Sequence, residues 1–423
     1  MLRKTSAGRK WDSTVASVTE PPGVLFVIND LGMGGAERAL LTYVNHLRAL
    51  RPVVALMRPV LDLLPELKDG VERFTLSGTL PERGVDEADR TARRRRGEPR
   101  GRMLLETPGL LRQALRLVRL ARVHRCRVVS TFLNRSHTLA LLAKFFIDPR
   151  LRVVINVHEM LSDHLEIHFA PVERRVMRAF IRLAFPRAEA IVAVSDGVRC
   201  DLVSHFGLPP ECITIVHNPI DVIRIRQASQ AAEAVGTDET LIVAVGRLVR
   251  LKGFDVLIRA FARLPARLGA QLLIIGDGEE RPALEDLVEE LGVSDRVAMP
   301  GAQNNPWTHM ARASVVALSS RTEAFPSVIG EALALGRPVV ATRCSQGVTE
   351  YLEDGRCGLL VPPDDVEAMA EALERLLSDG ELCNRLARQG LRRIESFELP
   401  LAVRRYERVL DGVCRGSGEP TPG

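Results

Sequence analysis

Short apolar segments of strand length recur along the chain, and each is followed by a segment long enough to form a helix. The first half contains GVLFVIND, PVVALM, VVSTF, RVVINVH and AIVAVS, and the second half contains LIVAVG, QLLIIGDG, VAMPG, SVVALSS, PVVAT and GLLVPP. Continuous apolar runs of this length are typical of parallel strands that are buried on both faces. Strands that alternate with helices predict an α/β fold built on parallel sheets.

Two such series in one chain predict two doubly wound, Rossmann-like domains. A chain of 423 residues exceeds what one hydrophobic core usually supports. Strand signals lapse near HNPIDVIRIRQASQ, so we place one domain at residues 22–219 and the other at residues 220–398. Ligands of open α/β sheets bind beyond the carboxyl ends of the strands, so we expect the domains to face each other across one cleft.

The two halves differ in charge. Residues 1–220 carry 34 Lys and Arg against 23 Asp and Glu, a balance of +11, whereas residues 221–423 carry 24 against 30, a balance of −6. The basic residues include an insert at 84–102 with the run Arg93–Arg96, and four arginines at helical spacing between residues 112 and 122. This pattern fits either a solvated helix face or a surface that meets an anionic membrane.

The cysteines and the apolar runs indicate the cellular compartment in which we expect the protein. Seven cysteines are scattered without a CxxC pair, which favours free thiols in a reducing compartment. No apolar run reaches the roughly 18 residues that span a bilayer. Residues 1–21 have no apolar segment after their basic residues, so we expect a disordered tail rather than a signal peptide.

A glycine-rich turn, NDLGMGGAERAL, joins the first strand to a helix. Gly34 and Gly35 allow tight backbone turns, and the free N–H groups of the following helix suit an anion. The spacing is not GxGxxG, so the turn gives little support to a dinucleotide site. An ordinary strand-to-helix turn is the alternative.

Two cations follow a strand in VGRLVRLKGF. Arg247 offers a planar fork of donors and Lys252 a mobile point charge, a combination that suits a diphosphate. The alternative is a pair of solvated loop cations. Their position between a buried strand and a helix start favours phosphate binding.

The stretch TEAFPSVIGEALALGRPVVAT carries two glutamates eight positions apart. We predict a helix over Ser327–Leu335 that is closed by Gly336, with Pro326 in its first turn and Ser327 satisfying early N–H groups. Glu323 then lies on the loop and Glu331 one turn into the helix. Such a spacing favours acceptors for ligand hydroxyls over an acid–base pair, although surface glutamates near a helix start would look the same.

His158 ends the strand RVVINVH at the edge that faces the expected cleft. A histidine there can donate a hydrogen bond to a substrate or carry a proton. His164 and His168 stand four residues apart, but no HExxH motif or third ligand accompanies them. We therefore expect no metal site.

From about Val24 to Val413 the chain resembles the family-four retaining glycosyltransferases of GT-B fold. The resemblance is carried by VGRLVRLKGFDVLI, by SSRTEAFPSVIGEALALGRPVVAT with its E-x7-E spacing, and by GGAER, VSDGVRCDLV and HNPID in this order. It implies a GT-B architecture, with a final helix at residues 399–415 that crosses back to the N-terminal domain. That domain would bind the acceptor and the C-terminal domain the nucleotide sugar.

The resemblance also implies roles for individual residues. Arg247 and Lys252 would hold the donor diphosphate, and Glu331 would bind the donor ribose. Hydroxyls of the transferred sugar would contact Glu323, beside the Phe325-Pro326-Ser327 backbone. Gly34 and Gly35 would shape the junction of donor and acceptor, and His158 would contact the sugar. No cofactor or metal is implied. The segment RCSQGVTEYL departs from the family pattern at Cys344 and Gln346, which leaves the choice of donor open.

We therefore expect a retaining hexosyltransferase that moves a sugar from a nucleotide sugar, here a UDP-sugar, to a glycan or lipid-linked glycan of a cell-surface polysaccharide. It would work in the cytoplasm or peripherally on the inner membrane, with the loop Arg93–Arg96 near the anionic surface and without nucleic acid. Two alternatives stay open: a sugar-nucleotide epimerase on the same scaffold, and a basic nucleic-acid-binding protein that uses Arg93–Arg96, which lacks nearby aromatic residues for stacking.

Overall fold

A computed structural model describes residues 21–32, 34–60, 62–77, 107–230 and 240–416, with side chains from residue 109 onward in the helix that begins at residue 107. The predicted tail and the run Arg93–Arg96 therefore lie outside the described residues, except for residue 21 of the tail. The described residues form two parallel sheets, one in each half, so the predicted α/β fold is confirmed.

The first sheet has seven parallel strands. They are β1 (Gly23–Ile28), β2 (Arg51–Leu56), β3 (Glu72–Thr75), β4 (Cys126–Phe132), β5 (Arg152–Val157), β6 (Ala190–Ala193) and β7 (Ile213–Ile215). Their spatial order is β3-β2-β1-β4-β5-β6-β7, so the strand order reverses beside β1, as in doubly wound folds.

The second sheet has six parallel strands. They are β8 (Thr240–Val245), β9 (Ala270–Ile275), β10 (Val297–Gly301), β11 (Val315–Leu318), β12 (Val339–Thr342) and β13 (Leu359–Val361). Their order is β10-β9-β8-β11-β12-β13, and the reversal falls between β8 and β11. The loops that leave these two strands therefore emerge together at one edge.

Helices cover both faces of each sheet. In the first half they are α1 (Gly35–His46), α2 (Thr107–Val123), α3 (Asn134–Phe146), α4 (Leu161–His168), α5 (Pro171–Ala184) and α6 (Asp196–Phe206). In the second half they are α7 (Val222–Ser229), α8 (Phe254–Ala262), α9 (Arg281–Glu290), α10 (Trp307–Met310), α11 (Ser327–Ala334), α12 (Gln346–Leu352), α13 (Val366–Ser378), α14 (Gly380–Arg393) and α15 (Leu399–Arg415).

Apolar packing continues from one sheet to the other. One buried cluster contains β1 and β5 side chains, residues of α2, α3 and α5, and residues of α11 and α12 in the second half. Val198 of α6 and Val348 of α12 both belong to it and are fully buried. The two lobes therefore share a core on the side where these helices meet.

The last helix returns to the first sheet. Tyr406 of α15 is fully buried, its hydroxyl lies 2.7 Å from Ser130 Oγ on β4, and its ring packs 4.3 Å from that of Tyr43 on α1. Just before α15, the chain passes beside the segment that leaves the first lobe. Ile220 N donates to Phe397 O at 3.1 Å and Leu399 N donates to Ile220 O at 3.0 Å, which ties the two crossings together.

Candidate active site

The loops that follow β8 and β11 bring Lys252 and Glu323 into contact. The Lys252 ammonium pairs with Glu323 Oε1, and Ser320 Oγ donates to the same carboxylate oxygen at 2.7 Å. Both side chains are largely enclosed, with exposed fractions of 25% and 12%. A cation and a carboxylate are thus held at the carboxyl edge of the second sheet, where a ligand of an open α/β sheet binds.

The backbone around this pair is fixed by hydrogen bonds. Ser319 Oγ donates to the Lys252 carbonyl at 2.9 Å, and Thr342 Oγ1 donates to the Ser320 carbonyl at 2.5 Å. Gly253 adopts φ = +60°, and a Cβ at this position would collide with the Ser319 carbonyl. Only glycine satisfies both conditions, so the close approach of the two loops depends on it.

Helix α11 begins at Ser327, and Pro326 is its N-cap, so the predicted helix is present to within one residue at its end. The prediction that Ser327 caps the helix is wrong, because Ser327 is the first helical residue and no side chain caps the helix. Proline has no side-chain acceptor, so the first N–H groups lack a side-chain partner. The Phe325 ring is buried against Tyr351 at 3.9 Å, which leaves only its backbone for a ligand.

Glu331 is half-buried on α11 and faces the first lobe. Burial raises the pKa of its carboxyl, while the Arg38 guanidinium of α1 and the Trp307 indole lower it. Trp307 Nε1 makes no aligned hydrogen bond among the described residues. A carboxylate acceptor and an indole donor thus lie next to each other at this end of the cleft.

Glu37, in the first turn of α1, faces the second lobe. A Cβ at Gly34, the N-cap, would overlap the Glu37 carboxylate, whereas a Cβ at Gly35 would meet nothing within 4 Å. Burial raises the pKa of Glu37 to about 7, and the charges of Asp30 and Glu159 act in the same direction while Arg247 opposes them. Gly34 therefore makes room for a carboxylate that lies within the electrostatic reach of Arg247.

At the end of β5, the His158 ring stacks on Phe132, with the ring centroids 5.0 Å apart. Burial lowers the pKa of His158 to about 3, although a hydrogen bond with Asn218 opposes the shift, and Nδ1 has no partner among the described residues. The imidazole is therefore neutral at physiological pH. Burial of the ring favours hydrogen bonding by a neutral imidazole over proton transfer, because the protonated ring would be desolvated.

The loop that carries Glu323 is attached to the first lobe. Thr322 Oγ1 donates to Asp163 Oδ2 of α4 at 2.5 Å, and Ser195 Oγ donates to the Ala324 carbonyl at 2.9 Å. Residues of both lobes therefore define the geometry of this loop.

Within the described ranges, no group of three or more His, Cys, Asp and Glu side chains is arranged to hold a metal ion. The rings of His164 and His168 lie 4.7 Å apart, and His164 Nδ1 lies 2.9 Å from Glu159 Oε2.

Comparison with known proteins decides the family. Residues 33–224 match the family model Glycosyltransferase Family 4, and residues 225–393 match Glycosyl transferases group 1. A relative from Campylobacter jejuni, N-acetylgalactosamine-N,N'-diacetylbacillosaminyl-diphospho-undecaprenol 4-alpha-N-acetylgalactosaminyltransferase, is 31% identical over 371 residues, 88% of this chain and 94% of the relative. The chain belongs to the family-four glycosyltransferases.

Other relatives of this glycosyltransferase agree with the assignment. The lipopolysaccharide core biosynthesis glycosyltransferase LpsE of Rhizobium meliloti is 37% identical over 206 residues, 49% of this chain and 59% of LpsE. Among solved structures, Anabaena HepE with UDP and glucose gives a TM-score of 0.73 at 22% identity, over 92% of this chain and all of HepE. The likeness to HepE confirms the predicted GT-B fold.

The structure of the glycosyltransferase groups the predicted residues in three sets. Lys252 and Glu323 are in contact, and the Phe325-Pro326-Ser327 backbone continues the same loop into α11. Gly34 and Gly35 begin α1, whose Glu37 interacts electrostatically with Arg247. Glu331 lies further along α11 and interacts with Arg38, while His158 lies at the end of β5.

The site residues that carried no prediction include Glu37, Arg38, Asp163 and Asn218. Glu37 and Arg38 lie within the GGAER motif itself, and a carboxylate three positions after a glycine N-cap is the signal that identifies Glu37. Asp163 and Asn218 reach the site only through tertiary contacts, so no local pattern marks them.

Proposed function

We propose that this glycosyltransferase moves a sugar from a UDP-sugar to a glycan carried on a lipid diphosphate, with retention of the anomeric configuration. The observation that carries the proposal is the Lys252–Glu323 pair at the carboxyl edge of the second sheet, beside the uncapped start of α11. It offers one cation, free N–H groups and one carboxylate within a single loop system, which matches a diphosphate joined to a polyhydroxylated sugar.

The donor diphosphate would lie between Lys252 and Arg247. Arg247 is exposed at the end of β8, so a phosphate can reach its guanidinium without displacing packed residues. Glu323 would accept from hydroxyls of the transferred sugar, and Glu331 from those of the ribose. HepE has been solved with UDP-glucose, which supports a UDP-sugar as the first donor to test.

In the reaction, the bond between the anomeric carbon and the β-phosphate oxygen breaks, and UDP leaves with the electron pair. Lys252 and Arg247 would offset the charge that develops on this phosphate, and such preorganised donors typically contribute about 3 kcal/mol each. The acceptor hydroxyl oxygen bonds to the anomeric carbon and transfers its proton to the Glu37 carboxylate. A base with a pKa near neutrality is efficient at this step.

The names of the relatives support a lipid-linked acceptor. The Campylobacter jejuni relative is named for an undecaprenol diphosphate, and LpsE for the lipopolysaccharide core. The excess of positive charge in residues 1–220 agrees with a substrate held at an anionic membrane, and we place the enzyme on the cytoplasmic face of the inner membrane. Because cations of the chain itself face the diphosphate, we expect no metal requirement, and chelator should leave the rate unchanged.

Retention follows if the product is an α-glycoside, because UDP-glucose and its epimers carry the diphosphate in the α configuration. The Campylobacter jejuni relative is named as a 4-alpha-transferase, and the kanosaminyltransferase of Streptomyces kanamyceticus as an alpha-transferase. The anomeric proton coupling of the isolated product distinguishes the α from the β linkage.

The experiment is a screen of UDP-, GDP- and dTDP-sugars with prenyl-diphosphate glycans and with the same glycans freed from lipid. We expect transfer from a UDP-sugar, with the lipid-linked acceptor preferred. Conversion of a UDP-sugar in the absence of any acceptor would instead favour the epimerase alternative. Equal rates with the free and the lipid-linked glycan would contradict the lipid part of the proposal.

A further inference from the structure

Helix α5 exposes a continuous apolar stripe. Val172, Val176, Ala179 and Leu183 recur at i, i+4, i+7 and i+11 and are all exposed. Val172 is 72% exposed, Val176 46% and Leu183 62%. The opposite face is held by Ile181 and Ala184, which are buried in the core. The stripe therefore does not serve the packing of the helix, and it marks an interaction surface.

A basic stripe runs beside the apolar one. Arg175, Arg178 and Arg182 stand at i, i+3 and i+7 of the same helix. Arg178 Nη2 lies 3.4 Å from Glu166 Oε1, while Arg175 and Arg182 make no ion pair among the described residues. Two cations are thus available to an outside partner.

Helix α2, the other arginine-rich helix of this lobe, is different. Arg122 Nη2 bonds Asp148 Oδ2 at 2.7 Å, and Arg116 Nη1 donates to the Leu76 carbonyl at 3.4 Å. Its exposed large apolar residues are Leu111 and Leu115, one turn apart, and Val123 at the last position of the helix, so they form no continuous stripe. Two of its four arginines are thus engaged within the chain, and α2 provides a comparison for α5.

We propose that the α5 face, made of Val172, Val176, Ala179 and Leu183 with Arg175 and Arg182 beside them, docks on an anionic lipid bilayer. An apolar stripe flanked by arginines is the arrangement of helices that lie in the membrane interface, with the aliphatic groups among the acyl chains and the guanidinium groups at the anionic headgroups. No helix in the described ranges is long and apolar enough to cross a membrane, so attachment at the surface is the mode available to these residues.

Charge favours a bilayer over a second copy of the chain as the occupant. In an isologous antiparallel pairing of two α5 helices, the basic stripes would lie on the same side and repel. Four aliphatic side chains of modest size also cover much less than the roughly 800 Å² per partner of a stable interface. An anionic surface instead neutralises the arginines.

The position of α5 connects this face to the cleft. The eight residues of α4 lie between the end of β5, where His158 stands, and the start of α5, a length of about 12 Å. Asp163 of α4 accepts a hydrogen bond from Thr322 in the loop that carries Glu323, which we call the donor loop. Ile167, at the other end of α4, is 42% exposed. Docking through α5 would hold the cleft within reach of a lipid headgroup. Only this last link, to a lipid-borne acceptor, rests on the proposed function.

The test is cosedimentation of the full chain with phosphatidylcholine vesicles that contain either no phosphatidylglycerol or about 30% of it. We expect binding to the anionic vesicles alone. V176E/L183E should abolish it, and R175Q/R182Q should weaken it about 30-fold, since each arginine near an anionic surface contributes about fivefold. The control L111E/L115E on α2 should bind as the unaltered chain does. Circular dichroism and transfer to a lipid-free glycan verify that each variant is folded.

Several results would overturn the inference. They are equal binding to neutral and anionic vesicles, no binding to either, and an equal loss in the α2 control. A V176E/L183E variant that turns a dimer into a monomer without changing vesicle binding would assign the face to a second copy. If vesicle binding fails while sugar transfer persists, only this inference falls, whereas vesicle binding without transfer from any nucleotide sugar defeats only the proposed function.

Discussion

The two sides of the cleft are built differently. On the second lobe, Lys252, Glu323 and Ser320 satisfy one another by ion pairing and hydrogen bonding. On the first lobe, Glu37 and His158 are desolvated, and the nearest charges to Glu37 include the like charges of Asp30 and Glu159. The Lys252–Glu323 pair is thus organised before a ligand arrives. In the first lobe, burial shifts the pKa values of Glu37 and His158, as it also does for Glu331 at the far end of the donor side.

This difference indicates that the second lobe binds the donor and that the first lobe handles the proton of the acceptor. Paired charges hold their positions accurately, which suits the binding of a charged donor. A carboxylate with a pKa of about 7 exchanges a proton easily, which suits the acceptor hydroxyl. Changes on the donor side should therefore alter the rate at every pH, and changes on the acceptor side should alter its pH dependence.

The largest effect is expected for Lys252→Ala. Loss of the cation removes stabilisation of the leaving phosphate, and kcat/KM should fall by 10² or more at every pH, in line with about 3 kcal/mol for one preorganised donor. Arg250→Ala is the matched control, because Arg250 is exposed in the same short turn, Arg250–Lys252. Similar losses in both variants would show that the turn, and not the ammonium, is what matters.

Glu37→Gln tests the other side of the cleft. The carboxylate is the active form, so the rate of the unaltered enzyme should fall as the pH drops through about 7. The amide should lower kcat by about 10² and remove this acid limb, because general-base catalysis contributes that much or more. An acid limb that survives in Glu37→Gln assigns the titration to another group. Glu289→Gln, an exposed glutamate of the second lobe, should change nothing.

The two sides of the cleft also differ in how well the sequence predicts them. Arg247, Lys252 and Glu323 follow buried strands and precede helices, and Glu331 lies one turn into the helix, so their positions were predictable from local order. Strands β3 and β7 were not predicted, because they lie at the edges of the first sheet, are only three to four residues long and are only partly buried. Edge strands lack the continuous apolar signal of central ones.

Protonation in the first lobe was beyond prediction for a different reason. The pKa of Glu37 depends on burial and on charges from β1, β5 and β8. These contacts are set by tertiary packing, so neither residue type nor spacing reveals them. The same reason explains why the neutral state of His158 and the Thr322–Asp163 bond appear only in the structure.

Stability should depend on pH through the first lobe. Burial lowers the pKa of His137 and of His158 to about 3, and His137 Nδ1 lies 2.8 Å from Thr131 Oγ1. Between pH 6.5 and 3 the unfolded chain binds more protons at these two histidines than the folded one does, which lowers the free energy of unfolding as the pH drops. Glu37, whose pKa is about 7 in the folded chain, acts in the opposite direction and contributes about 2 kcal/mol of gain between pH 7 and pH 5. Each histidine should contribute about 2 kcal/mol of loss between pH 7 and pH 5.

Urea titrations at pH 7 and pH 5 measure this loss. His137→Gln, which is neutral at both values, should raise the free energy of unfolding at pH 5, relative to that at pH 7, by about 2 kcal/mol compared with the unaltered chain. If the variant shows the same difference between the two pH values as the unaltered chain, the dependence comes from groups outside the first lobe core, and the comparison of the two lobes loses this support.

The smallest effect is expected where the lobes touch. Thr322→Val removes the bond to Asp163, and kcat/KM should fall about fivefold, which corresponds to about 1 kcal/mol for one such hydrogen bond. Asp163→Asn and the double variant complete a double-mutant cycle. Strictly additive losses would mean that the two residues act separately and that the donor loop does not depend on the first lobe.

The two segments that connect the lobes, at Ile220 and Leu399, restrict how the lobes can move relative to each other. A single connecting segment would let one lobe rotate freely relative to the other. Two backbone segments that are joined by hydrogen bonds form a hinge that permits bending about one axis and resists twisting of one lobe relative to the other. Opening of the cleft to admit a donor or release UDP would then separate the lobes and bring them back in the same alignment, so that α1 meets the donor loop in register at each turnover.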